Sequence, residues 1–162
     1  MRPDDMPART DKTIRLADYT APAWLIDETR LVFDLHPTAT RVKATIRFQR
    51  NPAQTGPADL KLDGAEMALI SAQVDGEGVD PLTNAEGLTV PADQLPSDGF
   101  IWVCETEINP EANTALEGLY MSNGMYCTQC EAEGFRKITY YPDRPDVMAT
   151  FDIRIEGDMP VL

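Results

Sequence analysis

Two stretches of strict alternation constrain this chain more than any other feature of it. Over residues 41–49, Val42, Ala44, Ile46 and Phe48 fall on one side, with Arg41, Lys43, Thr45, Arg47 and Gln49 on the other. Residues 100–108 repeat the device, with Phe100, Trp102, Cys104, Thr106 and Ile108 opposed to Ile101, Val103, Glu105 and Glu107. A period of two is the signature of a strand with one buried face, and no α-helix can gather either apolar set on one side. A third run, from Trp24 to Leu35, alternates only approximately and stops at His36-Pro37. Pro37-Thr38-Ala39-Thr40 is a connection of hairpin length, so the runs on either side of it form an antiparallel pair.

Shorter strand-like runs follow, each closed by turn residues. Leu60–Leu62 halts at Asp63-Gly64, Ala68–Val74 at Asp75-Gly76, Leu88–Val90 at Pro91, and Phe100–Ile108 at Asn109-Pro110. Strands spaced in this way indicate an all-β architecture. The last third has another texture. Asn113–Tyr120 is ambiguous between helix and strand, Tyr126–Cys130 is compact, polar and rich in sulfur, and Asp143-Arg144-Pro145-Asp146 reads as the start of a brief helix with Pro145 in its first turn. Phe151, Ile153 and Ile155 then resume alternation. The expected fold is therefore all-β: an antiparallel β-sandwich or saddle-shaped sheet with one or two short helices in the C-terminal third. Residues 1–20, with Pro3, Pro7 and no periodicity, read as an N-terminal arm, and residues 21–162 as one β-sandwich domain. A chain of 162 residues has room for one core, burying roughly 70% of its unfolded surface. The abrupt end after Asp158-Met159-Pro160 reads as the boundary of a longer protein.

Charge narrows the range of partners. Asp and Glu number 27 against 14 Lys and Arg, and from Leu62 to Phe135 there is no cation at all among 14 acids. Nucleic acid is excluded as a partner, because its binding depends on basic groups that neutralise phosphates. An anionic membrane is disfavoured for the same reason, and no run approaches the roughly 20 apolar residues of a spanning helix. With no secretory leader pattern at the N-terminus and three cysteines, too few for a disulfide scaffold, the expected setting is cytoplasmic.

Self-contained catalysis finds little support. The single histidine, His36, lies at a strand end before a proline and reads as a surface turn residue; no H-E-x-x-H can be written around it. Cys127-Thr128-Gln129-Cys130 is a C-x-x-C, but it follows a β-rich segment and precedes Glu131 and Glu133, whose charge opposes a thiolate. Only Cys104 remains to complete a four-thiolate zinc site, so structural burial of the three thiols is the better reading. Ser71, Ser97 and Ser122 occur without a G-x-S-x-G elbow.

The region from Asn109 to Phe151 is more specific. It contains Asn109-Pro110-Glu111-Ala112-Asn113-Thr114-Ala115-Leu116-Glu117-Gly118-Leu119-Tyr120 and, further on, Cys127-Thr128-Gln129-Cys130-Glu131-Ala132-Glu133-Gly134-Phe135-Arg136-Lys137-Ile138-Thr139-Tyr140-Tyr141-Pro142-Asp143-Arg144-Pro145-Asp146-Val147. This block closely resembles the N-terminal domain of the bacterial aminopeptidase N family, zinc-dependent alanyl aminopeptidases of the gluzincin class. The resemblance extends to Ile14-Arg15-Leu16-Ala17-Asp18-Tyr19 and is weak between about residues 52 and 98.

That resemblance implies a β-sandwich or saddle, in agreement with the strand pattern. It also implies that catalysis belongs to a following domain, which carries H-E-x-x-H, a distal Glu and an upstream G-x-M-x-N. None of these motifs occurs here, so the resemblance implies a zinc cofactor for the full-length enzyme, none in this chain, and no peptide hydrolysis by this chain alone. The implied partners are peptides with a free N-terminus and the enzyme's own catalytic domain. Gln129 and Glu131 match the family positions that shape the first-residue pocket and, for the Glu, bind the free α-amine. Gly118 and Gly134 read as turn formers, Phe135, Tyr140 and Tyr141 as packing residues against the catalytic domain, and Arg136 and Arg144 as partners of nearby acids. Two other readings are a self-contained β-sandwich that binds a cationic ligand or partner, and a dithiol redox protein built on Cys127 and Cys130.

Overall fold

The computed structural model describes residues 16–158. The arm expected over residues 1–20 lies, up to residue 15, outside the described residues. Eleven strands are present among them: β1 Trp24–Leu35, β2 Thr40–Arg50, β3 Leu60–Asp63, β4 Ala68–Val74, β5 Glu77–Gly78, β6 Leu82–Asn84, β7 Gly87–Val90, β8 Gly99–Ile108, β9 Gly118–Ser122, β10 Met125–Gln129 and β11 Thr150–Gly157. They form a six-stranded sheet in the order β11-β1-β2-β8-β4-β5, a three-stranded sheet β3-β7-β6, and a two-stranded hairpin β10-β9. The all-β expectation holds.

The alternation that dominates the sequence is what the two larger sheets use. On β2, Val42, Ala44, Ile46 and Phe48 are buried while Lys43, Arg47 and Gln49 are exposed. On β8, Phe100, Trp102, Cys104, Thr106 and Ile108 face inward. They meet Leu60 and Leu62 of β3 and Leu88 and Val90 of β7 in one continuous cluster. Aromatic edges fit together there, with Trp24 T-shaped on Phe100 at 4.9 Å between centroids and Phe48 tilted on Phe100 at 5.3 Å. The opposite face of the large sheet is wet. Arg41 pairs with Glu105 at 3.1 Å and Glu107 at 2.8 Å, and Arg30 with Asp152 at 3.1 Å, all partly exposed and each worth no more than about 1 kcal/mol.

The imperfect period of β1 has a physical cause. Its register against β2 runs from Ile26 opposite Phe48 to Thr29 opposite Ile46, three steps on one strand against two on the other. That bulge inserts one residue and reverses the phase, so that Trp24 and Ile26 point inward before it and Thr29, Leu31 and Phe33 after it. The expected hairpin turn is confirmed, and His36 is exposed within it. The Thr40 hydroxyl donates to the His36 carbonyl at 2.6 Å and the Thr38 amide donates to His36 Nδ1 at 3.3 Å.

The last third departs from expectation. Asp143–Asp146 does not open a helix; the chain turns there, with the Val147 amide on the Arg144 carbonyl at 3.2 Å. The Asp143 carboxylate, which would have capped such a helix, is committed elsewhere. The short helical element of this region is instead a three-residue 3-10 turn at Phe135–Lys137. Tyr140 and Tyr141 are buried within this domain's own core and do not face outward. Phe135 packs on Tyr141 at 4.7 Å and on Phe151 at 5.8 Å.

β11 pairs in parallel with the β1 edge, setting Thr29 opposite Phe151, Leu31 opposite Ile153 and Phe33 opposite Ile155. These three β11 residues therefore extend the apolar face, yet they remain 47%, 55% and 59% exposed. The difference between core and edge is measurable. Phe48→Ala is expected to cost about 3–5 kcal/mol of unfolding free energy and Ile153→Ala about 0.5 kcal/mol or less, both by urea denaturation of this chain. Equal losses would show that β11 is covered in the isolated chain.

Candidate functional site

Gln129 and Glu131 sit where the β9-β10 hairpin returns to the body of the domain. Asn123 and Gly124, with φ of 50° and 80°, make its two-residue turn, the geometry that matches the twist of paired strands. At its base Gly118 pairs with Gln129. Gly118 has φ of +70°, and a Cβ there would lie 2.7 Å from Lys137 Cβ, so only glycine lets the hairpin approach the 3-10 turn.

Past Gln129 the chain leaves the ladder. Gln129 and Glu131 are both exposed, and Gln129 Nε2 donates to the Glu131 carbonyl at 3.2 Å. Among the described residues the Glu131 carboxylate has no ion-pair partner, although Glu133, two residues on, is held by Arg136 Nη2 at 2.6 Å. Gly134 closes the loop with φ of +148°, and a Cβ there would stand 2.8 Å from the Gln129 carbonyl.

The residues after the loop are tightly fixed. Asp143, itself buried, accepts at Oδ2 from the Gly134 amide (2.9 Å), the Arg136 amide (3.2 Å) and Arg136 Nε (2.8 Å). The Asp143 amide donates to Asp63 Oδ2 at 2.9 Å, which ties the group to β3. Lys137 reaches Glu66 at 3.2 Å and Glu117 at 3.5 Å. Burial disfavours the Arg136 charge, but the Asp143 hydrogen bond and the charges of Glu133, Asp143 and Asp63 outweigh it and hold the guanidinium protonated. Sequence reasoning expected Arg136 to pair with an acid but missed Asp143 and Asp63. The available signal was that Arg136 is the first cation after the long acidic stretch.

The structure thus brings Gln129 and Glu131 together at an exposed rim. They do not line the cleft of about 490 Å³ bordered by Trp24, Phe48, Lys61 and Arg144. Among the described residues, no group of three or more His, Cys, Asp or Glu side chains is placed to hold a metal ion. The three cysteines are free. Burial raises the thiol pKa of Cys104, and burial followed by the Asp143 charge raises that of Cys130. That is opposite to a redox C-x-x-C, whose reactivity needs a stabilised thiolate.

The domain is all-β and presents the Glu131 carboxylate and the Gln129 amide on a loop fixed at both ends. The Peptidase M1 N-terminal domain family matches residues 30–162, and the chain belongs to that family. Aminopeptidase N of Caulobacter vibrioides is 48% identical over 156 residues, covering 92% of this chain and 17% of that protein. Aminopeptidase N of Escherichia coli is 45% identical over 141 residues, covering 87% and 16% respectively. The chain therefore spans about a sixth of the length of these relatives. Among solved structures, Legionella pneumophila aminopeptidase A in complex with aspartic acid superposes with a TM-score of 0.79 at 28% identity, over 88% of this chain and 17% of that one. An M1 zinc metallopeptidase from Deinococcus radiodurans shares the fold, with a TM-score of 0.69 at 18% identity over 83% of this chain and 32% of that one.

The thiol environments carry a pH signature. A raised pKa leaves less thiolate at a given pH, so iodoacetamide should alkylate Cys130 of the native chain more slowly at pH 8 than it alkylates free cysteine, with the rate climbing only at higher pH. Cys104 should stay unmodified until the chain unfolds. Peptide mapping of the alkylated protein checks both, and a Cys130 rate at pH 7 above that of free cysteine would contradict the assignment.

Proposed function

We propose that this chain is the N-terminal, substrate-recognising domain, residues 21–162, of a zinc aminopeptidase that removes N-terminal residues from peptides. In this reading Glu131 binds the free α-ammonium of the substrate and Gln129 orients the first residue. The observation that carries it is an exposed Glu131 carboxylate that has no ion-pair partner among the described residues, next to an exposed Gln129 whose amide donates to the Glu131 backbone carbonyl, on a loop whose other acid is paired with Arg136. A fixed carboxylate recognises an ammonium by a charge-assisted hydrogen bond worth about 1.5–3 kcal/mol. An internal amide offers no such charge, so the same contact separates chain ends from chain interiors. The Legionella relative is a complex with aspartic acid, a free amino acid that bears the α-ammonium this reading requires.

Zinc does not fit the residues assembled here. The one imidazole, His36, has its Nδ1 occupied by Thr38 in a turn, and no second ligand is brought to it among the described residues. We assign the metal and the hydrolytic step to a catalytic domain outside this chain, and infer that the chain alone hydrolyses no peptide. The apolar row Phe151, Ile153 and Ile155 supports docking onto such a domain. Among the described residues no helix is long and apolar enough to cross a membrane. Three free thiols accord with a cytoplasmic setting.

In the full-length enzyme, Glu131→Gln is expected to lower kcat/KM for free peptides by about 10- to 200-fold, the equivalent of that hydrogen bond. Steady-state kinetics on an alanyl anilide and a tripeptide measure it. An unchanged kcat/KM would remove Glu131 from the site.

A further inference from the structure

We propose that Asp143 and Arg136 are positioning residues for Glu131: together they fix the loop that presents it and, among the described residues, leave it the one acid of residues 130–133 without an ion-pair partner. The proposal rests on the reading of Glu131 given above and adds two residues to it that do not touch the substrate.

The geometry is one-sided. Three donors from Gly134 and Arg136 converge on a single oxygen, Asp143 Oδ2, and Arg136 Nη2 adds a bond to the Asp143 carbonyl at 3.3 Å. The assembly is anchored to the body of the domain at two further points, by the Asp143 amide on Asp63 Oδ2 and by the Ala65 amide on the Arg136 carbonyl at 2.9 Å. The chain is therefore held from Gly134 onward, and by the β9 ladder up to Gln129. Between these anchors stand only residues 130–133. A short span fixed at both ends has few conformations to lose when a ligand binds, which is the condition for precise placement of a charge.

Arg136 has a second effect. Glu131 and Glu133 are two residues apart, and both are exposed. With both ionised and unpaired, an incoming ammonium would meet two competing anions. The 2.6 Å contact of Arg136 with Glu133 removes one of them. A buried Asp143 carboxylate in turn keeps the guanidinium oriented through Nε, so its Nη2 edge faces Glu133. One buried acid thus selects which of two exposed acids remains free.

A double-mutant cycle in the full-length enzyme tests this. Asp143→Asn keeps the shape and removes the charge; it is expected to lower kcat/KM on free peptides by about 10- to 100-fold, mainly through KM, the scale of a displaced binding group. Combined with Glu131→Gln, it should add no more than about twofold to the loss from Glu131→Gln alone, because both changes act through one carboxylate. Losses that multiply would overturn the positioning role. If Glu131→Gln alone has no effect while Asp143→Asn does, the substrate-binding reading itself fails. Hydrogen exchange decides the clamp independently: the Gly134 and Arg136 amides should exchange faster in Asp143→Asn, and unchanged protection would refute it. Should Asp143→Asn fail to fold by circular dichroism, Arg136→Lys, which retains the charge and loses the fork, takes its place in the cycle. Failure of both to fold would assign these residues to the fold alone and overturn the proposal.

Discussion

Phe48, Ile46 and Trp102 are removed almost entirely from water, and they can be so only while every second residue of β2 and β8 faces the three-stranded sheet. Each such side chain contributes about 1.5–3 kcal/mol by burial. A slip of one residue between these strands would turn Arg41, Lys43, Arg47, Glu105 and Glu107 into the core and the aromatic residues out of it, at a cost that far exceeds the stability of a domain. The register is therefore fixed. Its consequence reaches the candidate site, because β8 ends at Ile108 and the Pro110 carbonyl then receives the Met121 amide at 3.1 Å. Asn113 adds bonds to the carbonyls of Glu117 at 2.7 Å and Leu119 at 3.0 Å. The position of the β9-β10 hairpin, and with it Gln129, is set by the packing of the two sheets.

The loop beyond the hairpin is governed by electrostatics. Burying a carboxylate such as Asp143 is unfavourable unless its lone pairs are occupied, and here three donors occupy one oxygen. The same desolvation makes the arrangement all-or-none, since loss of one partner strands the other in a low-dielectric setting. Arg136 cannot drift to solvent without abandoning Asp143, and Asp143 cannot turn outward to start a helix without abandoning Gly134. This competition explains why the Pro145-containing segment, whose residues favour a helix start, becomes a turn.

Those features that depend on nearest neighbours were legible in the sequence, and those that depend on long-range partners were not. The faces of β2 and β8, the Pro37–Thr40 turn and the surface placement of His36 follow from alternation and turn chemistry. The bulge on β1 appears in sequence only as a blurred period, because an inserted residue preserves local polarity while changing its phase. β5 and β6 hold two and three residues, too few to show a period. Asn123-Gly124 between Met121 and Met125 carried a strong hairpin signal, masked by the sulfur-rich, polar residues on its C-terminal side. β11 alternates visibly, but nothing in its residues says that it pairs in parallel with β1. At the candidate site, Gln129 and Glu131 were singled out through a family resemblance; the contacts around them were not legible, because Asp63 and Asp143 are 80 residues apart in the chain.

The acidity of this domain is a weaker guide to recognition than it first appears. A net charge of -13 draws cations toward the surface and speeds their encounter, but it does so for any cation. Exposed charges interact only within a screening length of about 8 Å at physiological ionic strength, so most of the 27 acids do not act on a ligand at the loop. In the proposed role of Glu131, selectivity for one ammonium rests on the charges within that radius. Among the described residues, Arg136, the first cation after the 74 residues from Leu62 to Phe135, is taken up by Glu133 and Asp143, and Lys137 beside it by Glu66 and Glu117. In the proposed role, what sets Glu131 apart is therefore not its own chemistry but the commitment of Arg136 and Lys137 to other acids.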